Sequence, residues 1–126
     1  MAGSLNNLGF VAYRRGDFGS AELYYKQSLE IRREFGNLQH IAQSLQGFAE
    51  AAAGKAAWER AVHLWGAADH LREQSGSPLP SDEQGELEAD LASARRALGG
   101  ESFCCAWEHG RNMDLNQSID YAFTAA

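Results

Sequence analysis

Apolar residues recur at intervals of three and four positions along most of this chain, and this spacing places them on one face of an α-helix. The first such stripe lies between about residues 3 and 15, and the pair Gly16-Asp17 then favours a turn. The stripe comprises Leu5, Leu8, Val11 and Ala12. We therefore expect an amphipathic first helix with this stripe buried.

The same spacing predicts six further helices. They are expected at about residues 18–35, 38–53, 56–74, 81–98 and 101–109, and from about residue 115. The buried faces of the second helix are expected to carry Ala21, Leu23, Tyr24, Tyr25, Ser28, Leu29 and Ile31. Gly36 and Gly76 follow the second and fourth helices, where a residue without a β-carbon readily adopts the positive φ that ends a helix. The chain is therefore predicted to be all-α.

A displacement of forty residues superposes the first two helices on the next two without a gap. Identical residues coincide at Ala2/Ala42, Ser4/Ser44, Leu5/Leu45, Ala12/Ala52, Ala21/Ala61, Arg32/Arg72 and Gly36/Gly76. Large apolar residues coincide at Leu8/Phe48, Phe18/Trp58 and Tyr25/Trp65. This period predicts stacked helical hairpins, each of which buries its apolar face against its neighbour. We expect one hairpin in residues 1–40 and a second in residues 41–76.

Residues 77–126 do not continue the repeat. Ser77-Pro78-Leu79-Pro80 interrupts the helical pattern, because proline lacks an amide donor and disfavours helical conformation in the residue before it. Ser81 to Gln84 and Asp114 to Gln117 have the spacing of capping boxes, which start helices. We expect a linker and then C-terminal helices that cover the open end of the hairpin array.

Charge is unevenly distributed along the chain. The formal net charge is −6, and residues 1–40 carry five basic and four acidic side chains, which leaves six basic and thirteen acidic side chains in the remainder. An acidic surface repels phosphate backbones, so direct nucleic-acid binding is not expected. The chain has no long apolar run and no secretory leader pattern, which predicts a cytoplasmic protein without a membrane span.

Several residues of the two hairpins match a known repeat pattern. In the first unit these are Leu8-Gly9, Gly16-Asp17-Phe18, Ala21 and Tyr25, and in the second Trp58, Ala61, Trp65 and Ala68. They resemble the tetratricopeptide repeat (TPR) family, although Phe48-Ala49 replaces the leucine-glycine pair and Ala56 replaces the turn glycine. Over residues 3–76 the resemblance implies a TPR-like helical-hairpin superhelix of two repeats, followed by a C-terminal helical cap.

A second resemblance involves the C-terminal part of the chain. It rests on residues 61–68, 71–73, 78–80, 94–99, Phe103, Ala106-Trp107 and Gly110-Arg111. These residues look like the C-terminal ends of large bacterial ATPase-type (LuxR/SARP-like) transcriptional regulators. The resemblance implies a regulatory repeat segment and nothing enzymatic.

The TPR resemblance also implies a partner-binding groove. In that family the inner face of each first helix lines a concave surface, and here that face would carry Asn6, Phe10, Tyr13, Arg14, Gln46 and Glu50. Aromatic and guanidinium groups in a groove suit peptide recognition. The alternative is that Phe10 and Tyr13 simply pack against a neighbouring helix.

The residue types used in catalysis and metal binding form no recognisable constellation. His63 and His70 are two turns apart on one helix, about 10 Å, which is too far to share one ion without a third element. Gly54-Lys55-Ala56 lacks the upstream glycine and the hydroxyl of a phosphate-binding loop. Adjacent Cys104 and Cys105 are expected to be buried, reduced thiols, with a redox sensor as the alternative. We expect no catalytic residue, metal or cofactor.

The resulting hypothesis is a non-enzymatic module that binds a protein or peptide partner, as the regulatory or sensing segment of a bacterial transcriptional regulator. One alternative is a small-molecule sensor in which the second, fourth and fifth helices enclose an apolar pocket. Another is self-association through the N-terminal hairpin, or a fragment whose missing repeats cover that hairpin. A deep pocket or an open groove beside Phe10 and Tyr13 would distinguish the sensor from the peptide-binding module.

Overall fold

The computed structural model of the protein describes residues 2–76, 79 and 81–123. Every secondary-structure element within these residues is an α-helix. The helices are α1 (Ala2–Arg14), α2 (Phe18–Phe35), α3 (Leu38–Gly54), α4 (Trp58–Ser75), α5 (Ser81–Leu98), α6 (Gly100–Asn112) and α7 (Leu115–Phe123). The predicted all-α, TPR-like helical-repeat class is confirmed, and the helix ends lie within a turn of their predicted positions. Apart from Leu79, the predicted linker at 77–80 is outside the described residues.

The two hairpins turn in the same way at equivalent positions. Gly16 has φ 81° after α1, and Ala56, forty residues later, has φ 62° after α3. Gly36 and Gly76 end α2 and α4 in the left-handed conformation, as predicted. The second turn is the poorer one, since Asp17 accepts a hydrogen bond from the Ser20 amide whereas the equivalent Ala57 has no capping side chain.

Close approach of the helices depends on small residues around one buried aromatic ring. Tyr25 of α2 is 2% exposed and lies against Gly9 of α1 and Gly47 of α3. A β-carbon at Gly9 would lie 2.8 Å from the ring, and one at Gly47 would overlap it. The ring of Phe48 packs beside Tyr25 with centroids 6.1 Å apart. The absence of a side chain at Gly9 and Gly47 therefore allows α1 and α3 to approach Tyr25 closely.

A polar network is buried between the hairpins. Arg32 of α2 is 6% exposed, and its Nη1 donates to the His40 carbonyl at 2.9 Å, to Gln43 Oε1 at 3.1 Å and to Ser44 Oγ at 3.0 Å. Ser44 in turn donates to Asn6 Oδ1 of α1 at 3.3 Å. The network therefore joins α1, α2 and α3.

The C-terminal helices pack around the second hairpin. Helix α6 crosses α4 where Gly66 faces Gly110, and a β-carbon at Gly66 would lie 2.6 Å from the Trp107 carbonyl oxygen. Gly110 was expected to end the sixth helix, which is wrong, because α6 continues to Asn112 and Gly110 provides the space for this crossing. The predicted capping box of α7 is confirmed, since the Asp114 and Gln117 side chains each accept the other residue's amide at 2.8 and 2.9 Å.

Part of the predicted buried surface is exposed. Leu8 and Val11 of α1 are 47% and 45% exposed, and Leu23 of α2 is 56% exposed. The inner face of α1 instead presents Gly9 and Ala12. Phe48, the repeat equivalent of Leu8, is 2% exposed because α2 lies against it. Helical spacing gives the direction of a side chain but does not show whether another helix covers it.

Candidate functional site

A groove of about 630 Å³ lies between α1 and α3 on one side and the start of α5 on the other. Its lining is mainly amide and carboxylate groups. The lining residues are Asn6, Asn7, Phe10, Tyr25, Gln39, His40, Gln43, Gln46, Gly47, Glu50, Arg72, Leu79, Glu83 and Glu86. Three glutamines of α3, at positions 39, 43 and 46, follow one helical face, so their amides form a row along the groove.

The six residues predicted for a partner-binding groove divide into two sets. Asn6, Phe10, Gln46 and Glu50 line this groove. Tyr13 and Arg14 flank it on α1. Phe10 is 46% exposed, whereas Tyr13 is half-buried against Phe18, with ring centroids 5.8 Å apart.

Two of the groove amides are held by neighbouring arginines. Arg72 of α4 donates a hydrogen bond to Gln46 Oε1, and Arg32 donates to Gln43 Oε1. The guanidinium of Arg14 is already placed over the Phe10 ring, 5.6 Å from its centroid. Arg14 therefore covers one face of the Phe10 ring rather than projecting freely into the groove.

Glu50 lies in the most unfavourable electrostatic environment of the groove. Burial, followed by the carboxylates of Asp90, Glu86 and Glu83, raises the pKa of its carboxyl to about 7, while Arg72 acts to lower it. Tyr13 shares this environment, and its pKa is raised by burial and then by Glu50 and Asp90. Burial and Glu86 also raise the pKa of Asp90.

The acidic wall of the groove comes from α5, which the sequence did not place there. Glu83 and Glu86 of that helix are exposed and line the groove, and Asp90 is partly buried beside Glu50. The side chain of Gln84 donates to the Leu79 carbonyl at 2.6 Å, which holds the start of α5 against the preceding residues. Nothing in the local pattern indicates this position, because α5 follows a break in the repeat.

A second group of titratable residues lies at the α4–α6 crossing. The rings of His63 and His109 stack with centroids 4.8 Å apart, and His63 Nδ1 lies 2.7 Å from the Tyr121 hydroxyl. Burial, and then His109, lowers the pKa of His63. The pair that the fold brings together is thus His63 with His109. Among the described residues, no three His, Cys, Asp or Glu side chains are grouped so that they could hold a metal ion.

Cys104 and Cys105 lie on α6 as free thiols, and both are exposed. The expectation that they are buried is therefore wrong. They fall on the side of α6 away from Ala106 and Gly110, which pack inward.

None of the described helices combines the length and apolar character needed to cross a membrane.

Comparison with known proteins shows that the first hairpin is similar to a known helical repeat. The family model for the tetratricopeptide repeat matches residues 1–36, which include α1 and α2. No curated protein and no solved structure matches the chain. The match supports a TPR-type domain, and such repeats typically serve as non-catalytic scaffolds that bind other proteins.

Proposed function

We propose that this chain is a non-enzymatic interaction module that binds an extended segment of a partner protein in the groove between α1, α3 and α5. The observation that carries the proposal is the row of α3 amides on the same side of the groove as the exposed Phe10. Amide side chains can hydrogen bond to a peptide main chain, and an exposed aromatic ring provides an apolar anchor.

The composition of the groove favours a peptide over a small apolar ligand. Small-molecule sites are lined predominantly by hydrophobic side chains, with few polar groups. Here Phe10, Tyr25 and Leu79 are the large apolar lining residues, and amides and carboxylates provide most of the remainder. This argues against the alternative of an apolar sensor pocket beside Phe10.

Selection of peptides from a random phage-displayed library against the full chain tests this proposal. Binding of the selected peptides is then measured by fluorescence anisotropy with the wild type, with Phe10→Ala and with Phe35→Ala. Phe35 is a matched control, because it is also a phenylalanine, 81% exposed, at the end of α2. We expect Phe10→Ala to weaken binding by about tenfold, as hot-spot truncations commonly do, and Phe35→Ala to leave it unchanged. Equal affinities in all three proteins would overturn the proposal.

We further propose that the module belongs to a cytoplasmic transcriptional regulator and contacts neither nucleic acid nor membrane. The support is the regulator-like pattern in residues 61–111 and the acidic charge of the chain. Sequencing of the flanking coding region tests the context, since a nucleotide-binding ATPase domain is expected on the N-terminal side. A gel-shift signal that persists at moderate salt would contradict the absence of nucleic-acid binding.

Self-association through the N-terminal hairpin is a second candidate function. The exposed side chains Leu8 and Val11 favour it, because the equivalent of Leu8 in the second hairpin, Phe48, is buried by a stacked helix. Sedimentation equilibrium is expected to show concentration-dependent association that Leu8→Ser/Val11→Ser abolishes. A wild-type protein that stays monomeric at high concentration would contradict it.

A further inference from the structure

We propose that the groove selects a cationic segment, in which a lysine or arginine side chain lies against Glu50 and a neighbouring apolar side chain lies on Phe10. This inference rests on the proposed function, because it names the chemistry of the partner at the same groove.

The first argument is the balance of charge along the groove. Its lining includes the carboxylates of Glu50, Glu83 and Glu86, and Arg72 is the single arginine or lysine among these lining residues. Asp90 adds a fourth carboxylate that acts on Glu50. A segment rich in lysine or arginine complements this potential, whereas an acidic segment would be repelled.

The second argument is the position of the carboxylates on two separate walls. Glu50 projects from α3, while Glu83 and Glu86 come from α5, so the like charges face each other across the groove. Each carboxylate disfavours the ionised form of Glu50. A cation between the walls would replace this repulsion with attraction on both sides, which a cation on an open acidic helix face could not do.

The third argument is that the arginines near the groove already have partners. Arg72 donates to Gln46, and Arg14 lies over the Phe10 ring. Arg72 is the cation that lowers the pKa of Glu50, yet burial and three carboxylates outweigh it and hold that pKa near 7. Even without Glu50, the lining carboxylates Glu83 and Glu86 outnumber the lining cation Arg72.

The amide row argues for a peptide rather than a free small cation. Gln39, Gln43 and Gln46 lie along α3 beside the acidic wall, so a chain that places a basic side chain at Glu50 can also bond its main chain to these amides. The exposed ring of Phe10 offers a contact that a polyamine or an inorganic cation would not need.

The test compares two variants that remove the same formal charge. The groove variant is Glu50→Gln/Glu83→Gln/Glu86→Gln, and the matched control is Glu30→Gln/Glu34→Gln/Glu101→Gln, whose side chains are exposed on α2 and α6. The probes are the peptides selected against the full chain, each synthesised also with its lysines and arginines replaced by glutamine. Thermal unfolding of both variants verifies that they remain folded.

We expect the selected peptides to be enriched in lysine and arginine. The groove variant is expected to weaken their binding by about tenfold or more, and the control by about twofold or less, because surface charges beyond a Debye length of about 10 Å are screened. The glutamine-substituted peptides are expected to bind wild type and groove variant equally, since the cation that distinguishes them is absent.

Two results would overturn the cationic inference and leave the proposed function intact. One is a set of neutral or acidic peptides whose binding still depends on Phe10. The other is an equal loss of affinity in both charge variants, which would indicate non-specific attraction to an acidic protein. Peptides that bind independently of Phe10 would instead overturn the proposed function, and this inference with it.

Discussion

At the scale of single residues, the same side chain acquires different roles in the two hairpins. Arg32 and Arg72 occupy equivalent repeat positions, and both donate to a glutamine of α3. Arg32 is buried between the hairpins and also bonds Ser44 and the His40 carbonyl, whereas Arg72 lies in the groove wall. The repeat preserves the residue, and the neighbouring helices decide its role.

Replacement of Arg32 with alanine is expected to lower the free energy of unfolding by about 1–3 kcal/mol, because the buried Ser44 hydroxyl and two partly buried acceptors lose their donor. The adjacent Arg33 is a matched control. Its pair with Asp120, at 3.7 Å, is exposed on both sides, so Arg33→Ala should change stability by about 0.5 kcal/mol or less. Urea unfolding measures both. Equal effects of the two substitutions would show that the Arg32 network does not stabilise the fold.

Glu50 is expected to make stability depend on pH around neutrality. Its folded-state pKa of about 7 lies above the ordinary value of 4.5, so the folded protein binds this proton more tightly than the unfolded chain does. The stability gained from protonated Glu50 is fully present below pH 4.5 and is lost as the pH rises through 7. Glu50→Gln should therefore be more stable than wild type by about 2 kcal/mol at about pH 8 and by much less at about pH 5. Urea unfolding of both proteins across this range measures the difference in their free energies of unfolding. The lowered pKa of His63 gives stability the opposite pH dependence, but both proteins contain His63, so its effect cancels in the difference. A difference that is independent of pH would contradict the assignment.

At the scale of the elements, the turns of the two hairpins share one conformation but are formed by different residues. Both turns require a residue with positive φ, which glycine adopts at no steric cost and alanine does not. The first has Gly16, followed by the capping residue Asp17, whereas the second has Ala56, followed by Ala57. The packing of α3 against α4 therefore outweighs the backbone strain at Ala56.

Ala56→Gly is expected to raise the free energy of unfolding by about 1 kcal/mol, because it removes this strain. The reciprocal change, Gly16→Ala, should lower it by a similar amount, since its φ of 81° is unfavourable for alanine. No atom outside the local backbone would meet a β-carbon at Gly16, so the effect there isolates backbone conformation. Thermal unfolding measures both variants. Destabilisation by Ala56→Gly would indicate that the turn does not hold the conformation described.

At the scale of the whole molecule, acidic charge is concentrated where α5 faces the hairpins. The formal net charge of −6 is therefore not spread evenly, and part of the repulsion lies across the groove. Helix α5 packs lightly, mainly against α4 and α6, compared with the close crossing of α4 and α6. Repulsion between α5 and α3 thus acts on a lightly packed element.

An increase in sodium chloride from about 0.01 to 0.3 M is expected to raise Tm by a few degrees, because salt screens this repulsion. The effect should be smaller in Glu83→Gln/Glu86→Gln, which removes two of the facing carboxylates. Differential scanning calorimetry at constant pH measures the shifts. A fall in Tm with salt in the wild type would mean that attractive ion pairs, such as Arg111 with Asp69 and Glu73, dominate instead.

The sequence by itself determined the helices, most of their ends and the forty-residue repeat. These features are local, because each depends on residues that are close together in the chain. Examples are a helical stripe, a glycine after the last turn of a helix, and the capping box of Asp114 and Gln117. It also located four of the groove residues, because the repeat resemblance assigns the inner face of α1 and α3.

Only the tertiary structure decided which faces are covered and which charges meet. Leu8 and Phe48 occupy the same repeat position, but a helix covers only Phe48 among the described residues. The α5 carboxylates reach Glu50, and His109 stacks on His63, through contacts between helices that are distant in sequence. Helical periodicity is set within a few residues of the chain. The contacts of α5 with α3 and of α6 with α4 depend instead on how whole helices pack, and α5 and α6 lie beyond the repeat.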